Sequence, residues 1–117
     1  GGTNWYTGSN AITQYKSYFP NLSNLIYIPI EDNGGGGTAN VHLEEGNEGS
    51  TSSDNRSYNG IPHPGLDHEL MTGWSDNITY PLPLSRITIG CMEDLGYEMV
   101  DMSNADYYDP ANPNTLN

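Results

Sequence analysis

Glycine and proline set the limits of every regular segment in this chain. Of its 117 residues fourteen are glycine and eight are proline, while only 34% are hydrophobic. Such a chain has a thin core and a large share of loop, and its length fits one small domain or part of a larger one. Ser9 or Asn10 is placed to cap a short helix running to about Tyr18; Ala11, Ile12, Tyr15 and Phe19 give it one apolar face, and Pro20 stops it. Leu22 to Ile30 is apolar and β-branched and reads as an edge strand, demoted at its end by Pro29. Four consecutive glycines, Gly34 to Gly37, then turn the chain. A run of this kind serves as a flexible linker or permits close backbone approach to a ligand or peptide. Gly46 to Gly65 is polar and reads as an exposed loop.

The clearest helix is Ser85 to Leu95. Ser85 caps it, Pro83 lies just outside, Ile87, Cys91, Met92 and Leu95 share a face, and Gly96 follows as a stop. Tyr97 to Val100 reads as a short extended piece, and the turn-rich tail from Asp101 to Asn117 as draped over a neighbouring surface. The expected fold is α+β, with one principal helix, few short strands and long loops. Its burial is expected to depend on neighbouring chain.

Charge narrows the function. Fifteen acidic residues face three basic ones, for a formal net charge of -12. Phosphate contacts require Lys and Arg, so nucleic acid is excluded as a partner, and an anionic membrane surface is disfavoured for the same reason. The sequence has no signal peptide, transmembrane run or lipidation motif, so membrane insertion is not expected. The acidity suits a secreted or saline setting, a cation-binding surface or simple solubility. The lone Cys91 forms no internal disulfide and, in its apolar helical setting, reads as a small buried hydrophobe. Sequons occur at Asn21, Asn55 and Asn77, as chance allows in a chain rich in Asn and Ser.

All three histidines, His42, His63 and His68, fall between Gly34 and Trp74. Taken singly, His42 reads as a surface or hydrogen-bonded core histidine and Met71 as core filling. A joint metal site of His42, His63 and His68 would have to be built from loops, because Pro64 and Gly65 break any helical spacing. Calcium held by Glu44, Glu45, Glu48 and Asp54 would lack the spacing of an EF-hand loop.

Order along the chain adds more. The stretches YTGSNA (Tyr6 to Ala11), IPIEDNGGGGTANVHLEE (Ile28 to Glu45), ELMTGW (Glu69 to Trp74) and PLSRITIGCMEDLGYEM (Pro83 to Met99) occur in sequence. In these four collinear stretches the chain resembles the leishmanolysin-like zinc metallopeptidases, a branch of the metzincins. In that family two His of an H-E-x-x-H helix and a third, distant His hold the catalytic zinc, the helix Glu activates the zinc-bound water, and a methionine turn packs beneath the metal. The resemblance implies His42 as the third zinc ligand and Met71 as the methionine of the turn. It gives Glu45 a supporting or structural role just beyond that ligand, and it makes Gly36, Gly37 and Thr38 a flank of the substrate cleft. By the same resemblance the chain divides into a third-His segment (34–45), a variable loop (46–67), a Met-turn (68–74), a C-terminal helix (85–95) and an extended tail (101–117).

The departures from the family are equally specific. No H-E-x-x-H is present, Leu43 follows His42 where the family commonly has an aromatic residue, and the loop between His42 and Met71 is longer than usual. The chain begins about where the family has just left the active-site helix. The resemblance therefore implies the C-terminal half of an extracellular or surface-associated endopeptidase acting on proteins or peptides, inactive alone. It would be completed by the upstream half of the same domain or by a partner chain. The alternative is a non-catalytic structural or interaction protein, a surface or particle component built on this half-domain.

Overall fold

A computed structural model describes residues 4–31, 42–43, 55–66, 69–72, 82–98 and 100–109. The order of elements is β1 (Trp5–Tyr6), α1 (Ser9–Tyr18), β2 (Ile28–Pro29), β3 (Asn55–Tyr58), β4 (Ile61–Pro64), α2 (Arg86–Asp94) and a short 3-10 turn (Met102–Asn104). This is an α+β arrangement. Among the described residues it has two helices of similar length, where the sequence predicts one principal helix.

The two helices pack together and set the frame. Gly90 makes the close approach possible, since a Cβ there would lie 2.7 Å from Ala11 Cα. The ends are pinned by polar bonds of opposite sense. At the start of α2, Arg86 donates from Nε to Gln14 Oε1 at 3.0 Å and from Nη2 to Ser17 Oγ at 3.1 Å, and its guanidinium lies 4.4 Å from the centre of the Tyr18 ring. At the end of α2, the Asp94 carboxylate accepts from the backbone N–H groups of Asn10 and Ala11 at 2.8 and 3.1 Å. The helices therefore run antiparallel. Asp94 also supplies the N-terminal cap that α1 lacks: the residue at the cap position is Gly8, not Ser9 or Asn10, and it brings no side chain. A Cβ at Gly8 would collide with the Asp94 carboxylate. On α2 the expected cap is present, with Ser85 Oγ accepting from Ile87 N–H at 3.2 Å. Gly96, at φ +101°, ends that helix as expected.

Strand structure departs further from expectation. β1 pairs antiparallel with β2, matching Trp5 to Pro29 and Tyr6 to Ile28. Only these two residues of the apolar run from Leu22 to Ile30 join a strand, and Ile30 adds an isolated bridge to Leu43. Within that run Leu25 and Ile28 are buried, while Leu22 and Ile26 are 44% and 39% exposed. The segment read as an exposed loop contains the β3–β4 hairpin, turned by Asn59 and Gly60, both at positive φ (51° and 80°). His63, Pro64, Gly65 and Leu66 at its close are buried. Tyr15 Oη donates to Pro64 O at 2.7 Å, tying the hairpin to α1. Residues Tyr97 and Glu98 belong to no strand.

The core gathers Ala11, Tyr15, Leu25, Ile28, Leu43, Leu66, Ile87 and Tyr108, so both helices, β2 and the hairpin's exit contribute. Leu43 is central to it, bridging Ile30 on one side and Thr72 on the other. Met92 and Leu95, expected on the buried face of α2, are instead 42% and 78% exposed.

Candidate metal-site cavity

A cavity of about 210 Å³ opens where these segments meet, lined by Tyr6, Ile30, His42, Leu43, Met71, Thr88 and Cys91. All four stretches on which the resemblance rests contribute to this lining: Tyr6 from the first, Ile30, His42 and Leu43 from the second, Met71 from the third, Thr88 and Cys91 from the fourth.

Backbone bonds hold the two sequence-predicted site residues. Glu31 N–H donates to His42 O at 2.9 Å, and Leu43 N–H donates to Met71 O at 3.2 Å. His42 and Met71 thus sit on adjoining chain segments, joined at Leu43. The turn carrying Met71 is itself fixed. Its Leu70 N–H donates to Pro83 O at 2.8 Å, and Thr72 Oγ1 donates to Glu69 O at 2.8 Å. Met71 is 44% exposed and faces the cavity rather than filling the core.

Glu69 is the least expected member of this region, a fully buried carboxylate. Its Oε2 accepts from Met71 N–H at 3.0 Å, and its Oε1 accepts from Ser85 N–H at 3.1 Å and Thr88 Oγ1–H at 3.0 Å. Burial pushes its carboxyl up from the usual range, and the donors from Ser85, Met71 and Thr88 oppose that rise. The sequence offers one signal for it: a glutamate opening the apolar-flanked E-L-M-T-G stretch.

Two further cavity groups are protonated at neutral pH. Burial pushes the Cys91 thiol up to about 11, so it is a poor nucleophile there. Burial also raises the Tyr6 phenol, which donates to Asp94 Oδ2 at 2.8 Å. Reading Cys91 as a small hydrophobe captures its chemistry, although it is only half-buried and lines the cavity.

His63 takes a different part. Its ring is fully buried, Nδ1–H donates to Ile61 O at 2.8 Å, and Nε2 accepts from Ile26 N–H at 3.0 Å. Trp5 and Tyr58 stand edge-on to it. Both ring nitrogens are committed to backbone groups, which removes His63 from the joint metal site weighed with His42 and His68. His68, Glu45, Gly36, Gly37 and Thr38 lie outside the described residues, as do the calcium candidates Glu44, Glu45, Glu48 and Asp54.

Among the described residues no three His, Cys, Asp or Glu side chains converge on a metal-sized site. His42 therefore offers one imidazole, where a catalytic zinc takes three protein ligands and keeps one position open. No helix among the described residues is long and apolar enough to cross a membrane. Comparison with models of known families, with curated proteins and with solved structures finds no match to this chain.

Proposed function

We propose that this chain is the C-terminal portion of a leishmanolysin-like zinc endopeptidase. It supplies the third zinc ligand, His42, and the methionine of the turn, Met71, and is inactive without an H-E-x-x-H segment from upstream chain or a partner. The observation that supports this reading is the shared cavity: the four collinear stretches meet there, with His42 and Met71 in one lining. The donor chemistry fits one ligand of a three-histidine site, with Ile30, Leu43 and Met71 as apolar lining beside His42. A zinc ion held by His42 and two imidazoles from outside this chain would supply Lewis-acid polarisation of a peptide carbonyl and a water of lowered pKa. This chain's own part is to present His42 from a backbone pinned by Glu31 and, through Leu43 N–H, by Met71, and to bring Met71 and Thr88 to the same cavity. Glu45 supports the ligand segment, Gly36, Gly37 and Thr38 flank the peptide cleft, and the protein works outside the cell or at its surface.

The test is zinc content and peptide hydrolysis of the protein assembled with its H-E-x-x-H segment. His42→Ala is expected to reduce both to background, while His68→Ala leaves both near the unsubstituted level. Zinc retained without His42, or lost on changing His68 alone, would sink the assignment. The competing reading, a non-catalytic interaction protein, draws on a second cavity of about 350 Å³ lined by Leu84, Ile89, Met92, Tyr97 and Val100 among others. An assembled protein that contains H-E-x-x-H yet binds no zinc would favour it.

A further inference from the structure

The carboxylate of Glu69 does not touch the His42 ring, yet two of its three contacts, Met71 and Thr88, belong to the walls of the His42 cavity. One oxygen accepts from Met71 N–H, and the other from Ser85 N–H and Thr88 Oγ1–H. Met71 and Thr88 both line the cavity, and they come from different elements, the turn at 69–72 and the first turn of α2. The chain of bonds continues from there. Met71 O accepts from Leu43 N–H, and Leu43 follows His42 directly. Two hydrogen bonds therefore separate Glu69 from the backbone that carries the proposed ligand.

The pattern of donors says what Glu69 must be. All three partners donate, so both oxygens must accept, which an ionised carboxylate does and an amide cannot. Burial of a carboxylate is costly, and three donors directed at it offset that cost only while all remain in place. A side chain used merely to fill space here would be apolar.

From this geometry we propose that Glu69 is the positioning residue of the His42 site: its carboxylate sets the placement of Met71 and Thr88 and, through Met71 and Leu43, of His42. The inference rests on reading His42 as a metal ligand. Its test therefore separates the metal-free protein from the metal-loaded one.

Glu69→Gln keeps size and shape. Its single carbonyl oxygen can serve the Ser85 and Thr88 donors, which leaves the amide nitrogen facing Met71 N–H, donor against donor. In the metal-free full chain, amide exchange at Met71 and Leu43 is expected to speed up about tenfold, with the Met71 methyl and His42 ring resonances displaced. Amides of α1 and of the β3–β4 hairpin should keep their wild-type rates. In the assembled, cobalt-loaded protein the visible spectrum should shift and metal affinity fall about tenfold or more. Thr88→Val, which removes one donor at constant shape, should displace the same His42 and Met71 resonances by a smaller amount, and it serves as the reading if Glu69→Gln does not fold. Wild-type resonances at His42 and Met71 in the folded variant, or faster exchange spread evenly over all elements, overturns the positioning role. Local displacement without any metal binding in the unsubstituted assembly upholds that role and instead removes the zinc reading. Normal metal binding with undisturbed resonances in Glu69→Gln does the reverse.

Discussion

At the scale of single residues, Asp94 has the most to say about how the chain holds itself together. Its carboxylate accepts from Tyr6 Oη and from the backbone N–H groups of Asn10 and Ala11. Partial burial pushes this carboxyl up, but the donated hydrogen bonds outweigh it and leave the group below the usual carboxylate range. A carboxyl with a lowered folded-state pKa contributes stability that is present above the unfolded value, about 3.9, and is lost as pH falls through the lower folded value. Asp94→Ala is accordingly expected to lower stability by about 1 kcal/mol at neutral pH, the worth of a helix cap. The deficit should shrink below about pH 4. Urea unfolding of both proteins across that range checks it, and a deficit that stayed constant into acid would contradict the account. That Asp94 caps a helix more than eighty positions earlier was not readable from the sequence. A cap borrowed across tertiary structure leaves no local pattern.

At the scale of elements, the crossing of α1 and α2 depends on Gly90. A methyl group there would meet Ala11 Cα at 2.7 Å, Ala11 N at 2.9 Å and the Asn10 carbonyl carbon at 3.0 Å, all backbone atoms that no rotamer change can move aside. Alanine in a helix gains about 1 kcal/mol over glycine in intrinsic propensity. Overpacking of a tight contact costs about 1–3 kcal/mol, and a contact between backbones lies toward the upper end. Gly90→Ala should therefore lower the unfolding midpoint by a net cost of about 1–2 kcal/mol. A raised midpoint would mean that the helices slide apart at little cost. Both helices were legible in the sequence, because Pro20, Ser85 and Gly96 mark their ends; the apolar spacing found the buried Ala11, Tyr15 and Ile87 but also took in Met92 and Leu95, which are exposed. The strands were less so. The Asn59–Gly60 pair is a hairpin signal that was there to be used, but the polar residues around it favoured a loop reading. Leu22 to Tyr27 had the composition of a strand without a neighbour to pair with; Ile26 N–H goes to the His63 ring instead.

For the whole molecule, the dominant quantity is the net charge of -12 with only three basic residues to offset it. Arg86 is spent at the helix interface. Self-repulsion on this scale destabilises the compact state and is screened by salt, whose Debye length falls from about 30 Å at 0.01 M to about 8 Å at 0.15 M. The thermal midpoint of the chain is expected to rise as sodium chloride is raised over that interval. A flat or falling midpoint would show that the acidic residues are compensated within the fold.

The sequence by itself determined that regular structure would be sparse, where α2 begins and ends, and where α1 stops. Those properties are local: caps, proline and glycine stops, and apolar period act over a few residues. Tertiary structure alone decided that His42 and Met71 share a cavity, that His63 is locked by backbone groups of two different segments, and that a buried Glu69 joins the turn to α2. The physical reason is the same for each. A buried polar side chain is tolerable only where donors or acceptors from distant segments arrive to meet it, and nothing in its own neighbourhood of sequence says which ones will.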